Sequence, residues 1–212
     1  KEAKRSGVTQ FIYISSVKAI GEESNGMIFE GIRCNPQTDY GKSKWLAEQE
    51  LNTLSDPQFV VTIIRPAVVY GKGAKGNIDK LLKLINKLPV VPLGGIDNKR
   101  SMVYIGNFLA LLKQTIDLRA SGTFTATDNR SVSTSEIVEK INTLNAKRKK
   151  IINFPKVFEK ILIRLKPDMH AKLFGDFEVD NSVTNQKLNF TPPYSFESGL
   201  REMMSKEHLQ NK

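Results

Sequence analysis

Tyr40 and Lys44 stand four residues apart in Tyr40-Gly41-Lys42-Ser43-Lys44, inside a stretch whose apolar spacing predicts a helix. At that separation two side chains share one helix face. A free phenol titrates near about 10 and is a poor base at neutral pH. An ammonium beside it stabilises the phenolate. Such a pair can take a proton from a sugar hydroxyl or return one to a ketone. A surface Tyr beside a solvated Lys has the same spacing, so the pair alone is a weak signal. Ser15 and Ser16 follow the apolar run Phe11-Ile12-Tyr13-Ile14. Hydroxyls there would lie at the carboxyl edge of a parallel sheet, where open α/β folds bind ligands. Two loop serines capping backbone groups are the plainer reading.

The elements that must position these side chains can be read from periodicity. Lys1 to Gly7 reads as a last helical turn with a glycine stop, and Val8 to Ser15 as a strand. Thr38 caps a helix reaching about Leu54, with Trp45, Leu46, Leu51 and Leu54 roughly on one face. Phe59 to Ile64 is a continuous β-branched run, which predicts a strand buried on both faces and ended by Arg65-Pro66. A glycine-rich loop through Gly71, Gly73 and Gly76 leads into a helix from Asn77 to about Lys87. Pro89 to Gly95 reads as a connection, and Ser101 to Ile105 as a short strand before a helix from Asn107 to Leu118. Thr123 to Ala126 reads as a strand, and Ser133 or Thr134 caps a helix to about Leu144. Helical patches and turns follow from Ile151. Strands alternating with helices, then smaller mixed elements, predict an α/β domain with a smaller C-terminal lobe.

The composition excludes several classes. The 212 residues hold one cysteine, Cys34, so no disulfide can form within the chain, which fits a reducing cytoplasm. No apolar run reaches the roughly 18 residues that span a bilayer. The formal charge is +10, from basic residues spread along the chain. A solvated lysine-rich surface accounts for it, and an anionic partner is the alternative. The densest run, Lys147-Arg148-Lys149-Lys150, has no interleaved aromatics, so no nucleic-acid partner is expected. Phe154, Phe158, Ile161, Leu162 and Leu165 lie among basic residues. They read as a lobe helix facing the core or, alternatively, as an amphipathic helix against a membrane or partner.

Taken together, the order is strand, Ser-Ser, about two dozen residues, Tyr-x-x-x-Lys, buried strand, then Arg65-Pro66-Ala67-Val68-Val69-Tyr70-Gly71. This resembles the extended short-chain dehydrogenase/reductases, and within them the NAD-dependent epimerase/dehydratase enzymes of the UDP-glucose 4-epimerase kind. Leu93-Gly94-Gly95 followed by Asn98-Lys99-Arg100-Ser101 resembles the family's sugar-nucleotide segment. Bacterial surface-polysaccharide 4-epimerases and 4-ketoreductases are the subset most alike. The resemblance covers essentially the whole chain.

It implies an incomplete Rossmann-type parallel sheet with a smaller mixed α/β substrate lobe. Residues 1–76 would be the C-terminal part of the Rossmann-type domain. Residues 77–212 would be mainly the nucleotide-sugar lobe, with some segments returning to the sheet. It implies that Ser16 hydrogen-bonds the sugar O4, that Tyr40 is the general acid/base, and that Lys44 holds the nicotinamide ribose and favours the Tyr40 phenolate. Ser15, Pro66 and Val68 would border the cofactor, which is NAD, with NADP as the alternative. Asn77 would contact the substrate diphosphate from a helix N-terminus. Arg100 would be a charge-assisted phosphate ligand. Pro92 and Leu93 would lie near the nucleobase. A homodimer and a peripheral membrane contact are left open.

The departures from the family pattern carry information too. The glycine-rich turn that cradles the cofactor pyrophosphate, and the acidic residue that reads its ribose, are missing. Gly71-x-Gly73-x-x-Gly76 has similar letters in the wrong place. The chain therefore resembles the C-terminal two-thirds of such an enzyme, and by itself is expected to hold NAD weakly and be inactive. Val17 and Lys18 stand where 4,6-dehydratases carry Asp-Glu, which argues against dehydration. His170-Ala171-Lys172 stands where UDP-sugar epimerases often place an Arg on the second phosphate. Neither substitute offers a bidentate fork, so nucleotide and lipid diphosphate carriers both remain open. The expected activity is C4 epimerisation through a transient 4-keto sugar. The alternative is NAD(P)H-dependent reduction of a 4-keto-6-deoxy sugar. A catalytically inactive binding or scaffold relative is the reading from another class.

Overall fold

The computed structural model describes residues 1–21, 27–29, 31–73 and 76–205, without the side chain of Asn77. The chain begins with α1 (Glu2–Arg5), β1 (Gln10–Ile14), a 3-10 turn (Val17–Ala19) and β2 (Met27–Ile28). Next come α2 (Asp39–Asn52), β3 (Val60–Pro66), β4 (Val68–Tyr70), α3 (Asn77–Lys87) and β5 (Val90–Gly94). β6 (Met102–Tyr104), α4 (Ile105–Asp117), β7 (Gly122–Ala126), α5 (Thr134–Leu144) and β8 (Lys150–Asn153) follow. The last elements are α6 (Lys156–Leu165), α7 (Pro167–Phe174), β9 (Glu178–Val179), α8 (Ser182–Leu188) and α9 (Phe196–Met203).

β1, β3 and β7 form a parallel sheet in that order, with Phe11 opposite Val61 and Ile64 opposite Phe124. The β-branched run of β3 sits at the centre because both its faces are covered. Val61 and Ile63 pack with Phe11, Tyr13, Leu51 and Leu54 on the α2 side. Ile64 packs with Val103, Leu111 and Phe124 on the α4 side. Fully burying one such side chain is worth about 1.5–3 kcal/mol. β3 ends at Pro66, which has no N–H to extend a ladder. One residue later the chain enters β4, which pairs with β6 in a separate two-stranded sheet.

A further core joins Tyr70 of β4, Ile78 and Ile85 of α3, Leu93 of β5, Ile137 and Ile141 of α5, and Leu200 of α9. The connection expected over residues 89–95 is instead the strand β5, paired with β8. Pro92 is tolerated because β5 has that one partner and its register shifts between Val91 and Gly94.

Asp128, just after β7, joins the two regions. Its carboxylate accepts from Tyr70 Oη at 2.8 Å, Asn107 Nδ2 at 2.7 Å and the Tyr104 backbone N–H at 3.0 Å. Burial pushes this carboxyl above its usual range against those three donors. At the end of β4, Gly71 takes φ +142°, and a Cβ there would lie 2.4 Å from Ile105 Cγ2. Glycine is required for that close approach.

Candidate active site

The chemistry of the site begins at the carboxyl end of β1. The Ser15 N–H donates to the Ile64 carbonyl at 2.8 Å, extending the β1–β3 ladder by one residue. Its hydroxyl is buried and, among the described residues, has no hydrogen-bond partner. A polar group sealed in this way is costly unless a ligand satisfies it. Ser16 caps the 3-10 turn, its Oγ accepting from the Lys18 N–H at 3.2 Å. A hydroxyl that accepts from the backbone keeps its own proton to donate.

Helix α2 brings the second half. Thr38 caps it, its Oγ1 accepting from the Gly41 N–H at 3.2 Å. Tyr40 lies in the first turn, 52% exposed. One turn on, Lys44 Nζ donates to the Ile14 carbonyl at 3.0 Å. That bond ties the Tyr40–Lys44 face of α2 to the strand end carrying Ser15 and Ser16. Lys44 Nζ also lies 4.9 Å from the Tyr13 ring centroid and 5.8 Å from that of Tyr40. Cations at such distances over aromatic rings are attracted to them.

Sequence reasoning missed what holds this face still. Glu48, one further turn along, is only 1% exposed. Arg65 Nε donates to its two carboxylate oxygens at 3.0 and 3.2 Å, and Arg65 Nη2 donates to Oε2 at 2.5 Å. Arg65 Nη2 also reaches Cys34 Sγ at 3.4 Å. Burial works against the guanidinium charge, and the Glu48 hydrogen bond and charge outweigh it, holding Arg65 above its ordinary range. The available signals were an Arg inside an apolar strand and a Glu four residues past Lys44.

The remaining expected residues lie toward the lobe. Pro66 is buried at the end of β3, and Val68 lines a cleft of about 630 Å³ with Leu81, Arg100, Met102, Leu165 and Met169. Arg100 donates through Nη1 to the Gly175 carbonyl at 2.8 Å and the Ala171 carbonyl at 3.3 Å. It has no ion-pair partner among the described residues. Burial pulls its guanidinium below its usual range, and the charge of Asp176 partly opposes this. Asn77 opens α3 beside Ile78, another lining residue, and its side chain lies outside the described residues. Leu93 is buried in the lobe core and Pro92 is half-buried; neither lines the cleft. Lys172 lines it. His170 instead stacks on Phe174, with ring centroids 4.7 Å apart, and faces Glu159 of α6. The structure thus gathers Ser15, Ser16, Tyr40 and Lys44 at one edge, and Val68 and Arg100 in the cleft that begins two residues past Pro66.

Among the described residues, no group of three or more His, Cys, Asp or Glu side chains could hold a metal ion. No described helix is long and apolar enough to cross a membrane.

Comparison with known proteins identifies the family. Residues 1–123 match the NAD dependent epimerase/dehydratase family. The chain is 37% identical over 210 residues to a UDP-glucose 4-epimerase of Vibrio cholerae, covering 95% of this chain and 64% of that protein. It is 31% identical over 150 residues to the N-acetyl-alpha-D-glucosaminyl-diphospho-ditrans,octacis-undecaprenol 4-epimerase of Escherichia coli O157:H7, covering 68% and 45%. The chain therefore spans less than two thirds of the length of these curated relatives. The fold is similar to that of the Thermus thermophilus UDP-glucose 4-epimerase complexed with NAD. There the TM-score is 0.73 at 16% identity, over 99% of this chain and 66% of that one. With the Tyr40–Lys44 face set against the Ser15–Ser16 strand end, the chain belongs to the NAD dependent epimerase/dehydratase family.

Proposed function

We propose that this chain supplies the acid/base and the sugar-diphosphate contacts of a nucleotide-sugar C4 epimerase working through a 4-keto sugar. The observation that carries this reading is the Lys44–Ile14 hydrogen bond, which ties the Tyr40–Lys44 turn of α2 to the strand end that leads into Ser15 and Ser16. The names of the Vibrio cholerae and Escherichia coli relatives support it.

The roles follow from the donors available. Ser16 donates a hydrogen bond to the sugar O4 and orients it. Tyr40 takes the O4 proton as the ketone forms and returns it as the alcohol re-forms. Lys44 stabilises the phenolate between those steps. Arg100 pairs with the diphosphate, assisted by Asn77 at the start of α3. The relatives' names differ in what the diphosphate carries, a nucleotide in one and a polyprenol in the other. The group next to the sugar is the same in both, and it is the group Arg100 suits.

When bound, NAD would supply hydride acceptance and return at C4. The orphaned Ser15 hydroxyl and Lys44, with Pro66 and Val68 beyond them, fit the nicotinamide end of that group.

The test is to identify the cofactor of the full-length enzyme and follow UDP-glucose and UDP-N-acetylglucosamine by NMR. C4 inversion with tightly held NAD is the expected result. Stoichiometric NAD(P)H consumption on a 4-keto sugar would replace this reading with the reductase one.

A further inference from the structure

We infer that the exposed face of α6 is a docking surface for an anionic lipid bilayer. The inference does not depend on which reaction the α2 edge performs. α6 buries none of its residues, so it is not the core-facing lobe helix that is one reading of its sequence. Val157, Ile161 and Leu165 recur every four residues and form one stripe. They are 70%, 46% and 72% exposed. Phe158, also exposed, widens the stripe. Lys156, Lys160 and Arg164 form a second stripe, one residue earlier at each step, and all three are exposed. The helix's one acidic residue, Glu159, is turned to His170 and stays off the cationic stripe. Apolar and basic rows side by side on one helix match a bilayer's two layers, with acyl chains for one row and anionic headgroups for the other.

Charge and size decide against other occupants. A second copy docking through the same patch would set Lys156, Lys160 and Arg164 against themselves. A ten-residue helix is about 15 Å long, and one of its faces falls well short of the roughly 800 Å² per partner of a stable interface. A nucleic acid would satisfy the cations and leave the apolar stripe against phosphates. Leu165, the last residue of the stripe, also lines the Arg100 cleft. A docked α6 therefore brings the mouth of that cleft to the headgroup layer.

The experiment is flotation of the full chain with vesicles of equimolar phosphatidylcholine and phosphatidylglycerol, and with phosphatidylcholine alone. The mixed vesicles should carry the chain, more so at low salt. Val157→Glu with Ile161→Glu should abolish flotation with both. Lys160→Glu with Arg164→Glu should weaken binding to the mixed vesicles by about tenfold or more and remove their advantage. All four positions are exposed, so circular dichroism and thermal melting should match the unsubstituted chain. Failure to float with the mixed vesicles would overturn the inference. So would unchanged flotation of either double variant, or a concentration-dependent dimer that Val157→Glu with Ile161→Glu dissolves.

Discussion

Helices α2 and α6 each present polar and apolar side chains in regular rows, and the protein holds them in opposite ways. Along α2, the face with Tyr40 and Lys44 continues to Glu48, which is sealed against Arg65 of the central strand. Lys44 is fixed a second time on the Ile14 carbonyl. Along α6 nothing is buried, and among the described residues the Glu159 carboxylate pairs with His170, at 3.5 Å. A group that must meet a reacting atom needs its helix locked in register and azimuth, and a buried, multiply bonded ion pair does that. A surface that meets a deformable partner needs exposure instead. One chain therefore contains a helix built to be rigid and a helix built to be accessible.

Substitutions can break or sharpen that contrast. The largest effect should come from Tyr40→Phe in the full-length enzyme, where turnover falls by about 10²–10⁴-fold with the fold unchanged by circular dichroism. Next is Glu48→Ala, which strands a buried guanidinium and should cost about 3–5 kcal/mol in chemical denaturation. Glu48→Met with Arg65→Leu should recover most of that stability. If the pair positions Lys44, turnover stays low in the stable double variant. Arg100→Ala should weaken UDP binding by about 1.5–3 kcal/mol in calorimetry, the value of a charge-assisted bond. It should also cost about 1–3 kcal/mol of stability in chemical denaturation, because the Gly175 and Ala171 carbonyls lose their Arg100 donor. The smallest effect on the α2 side is Thr38→Ala, about 1 kcal/mol for a lost cap, read from the thermal transition.

The joint at Asp128 adds a pH dependence to stability. Burial raises its folded carboxyl above the ordinary 3.8. The folded state therefore holds this proton more tightly than the unfolded chain does. Stability from this group rises as pH falls through the raised value and is complete below 3.8. Thermal melting of Asp128→Asn across that window should lack this component.

Much of this was legible in the sequence. The β-branched run of β3 could be read because its burial on both faces leaves no polar residue from Val60 to Ile64 except Thr62. Tyr40, Lys44 and Ser16 could be read because a strand end and a helix start are local. The strand β5 was hidden by Pro92 and two glycines, whose turn signal is overridden by pairing with β8, some sixty residues away. Glu48 with Arg65, and Arg100 with the carbonyls of Ala171 and Gly175, are pairings set by packing. The rows of α6 were visible as rows, but periodicity cannot say whether a face is covered.

The most direct measurement is a crystal structure of the full-length enzyme with UDP-glucose bound. The account predicts the sugar O4 within hydrogen-bond distance of Tyr40 Oη and Ser16 Oγ, with the diphosphate on Arg100. A sugar seated away from Tyr40, or a diphosphate held elsewhere than the Arg100 cleft, would contradict it.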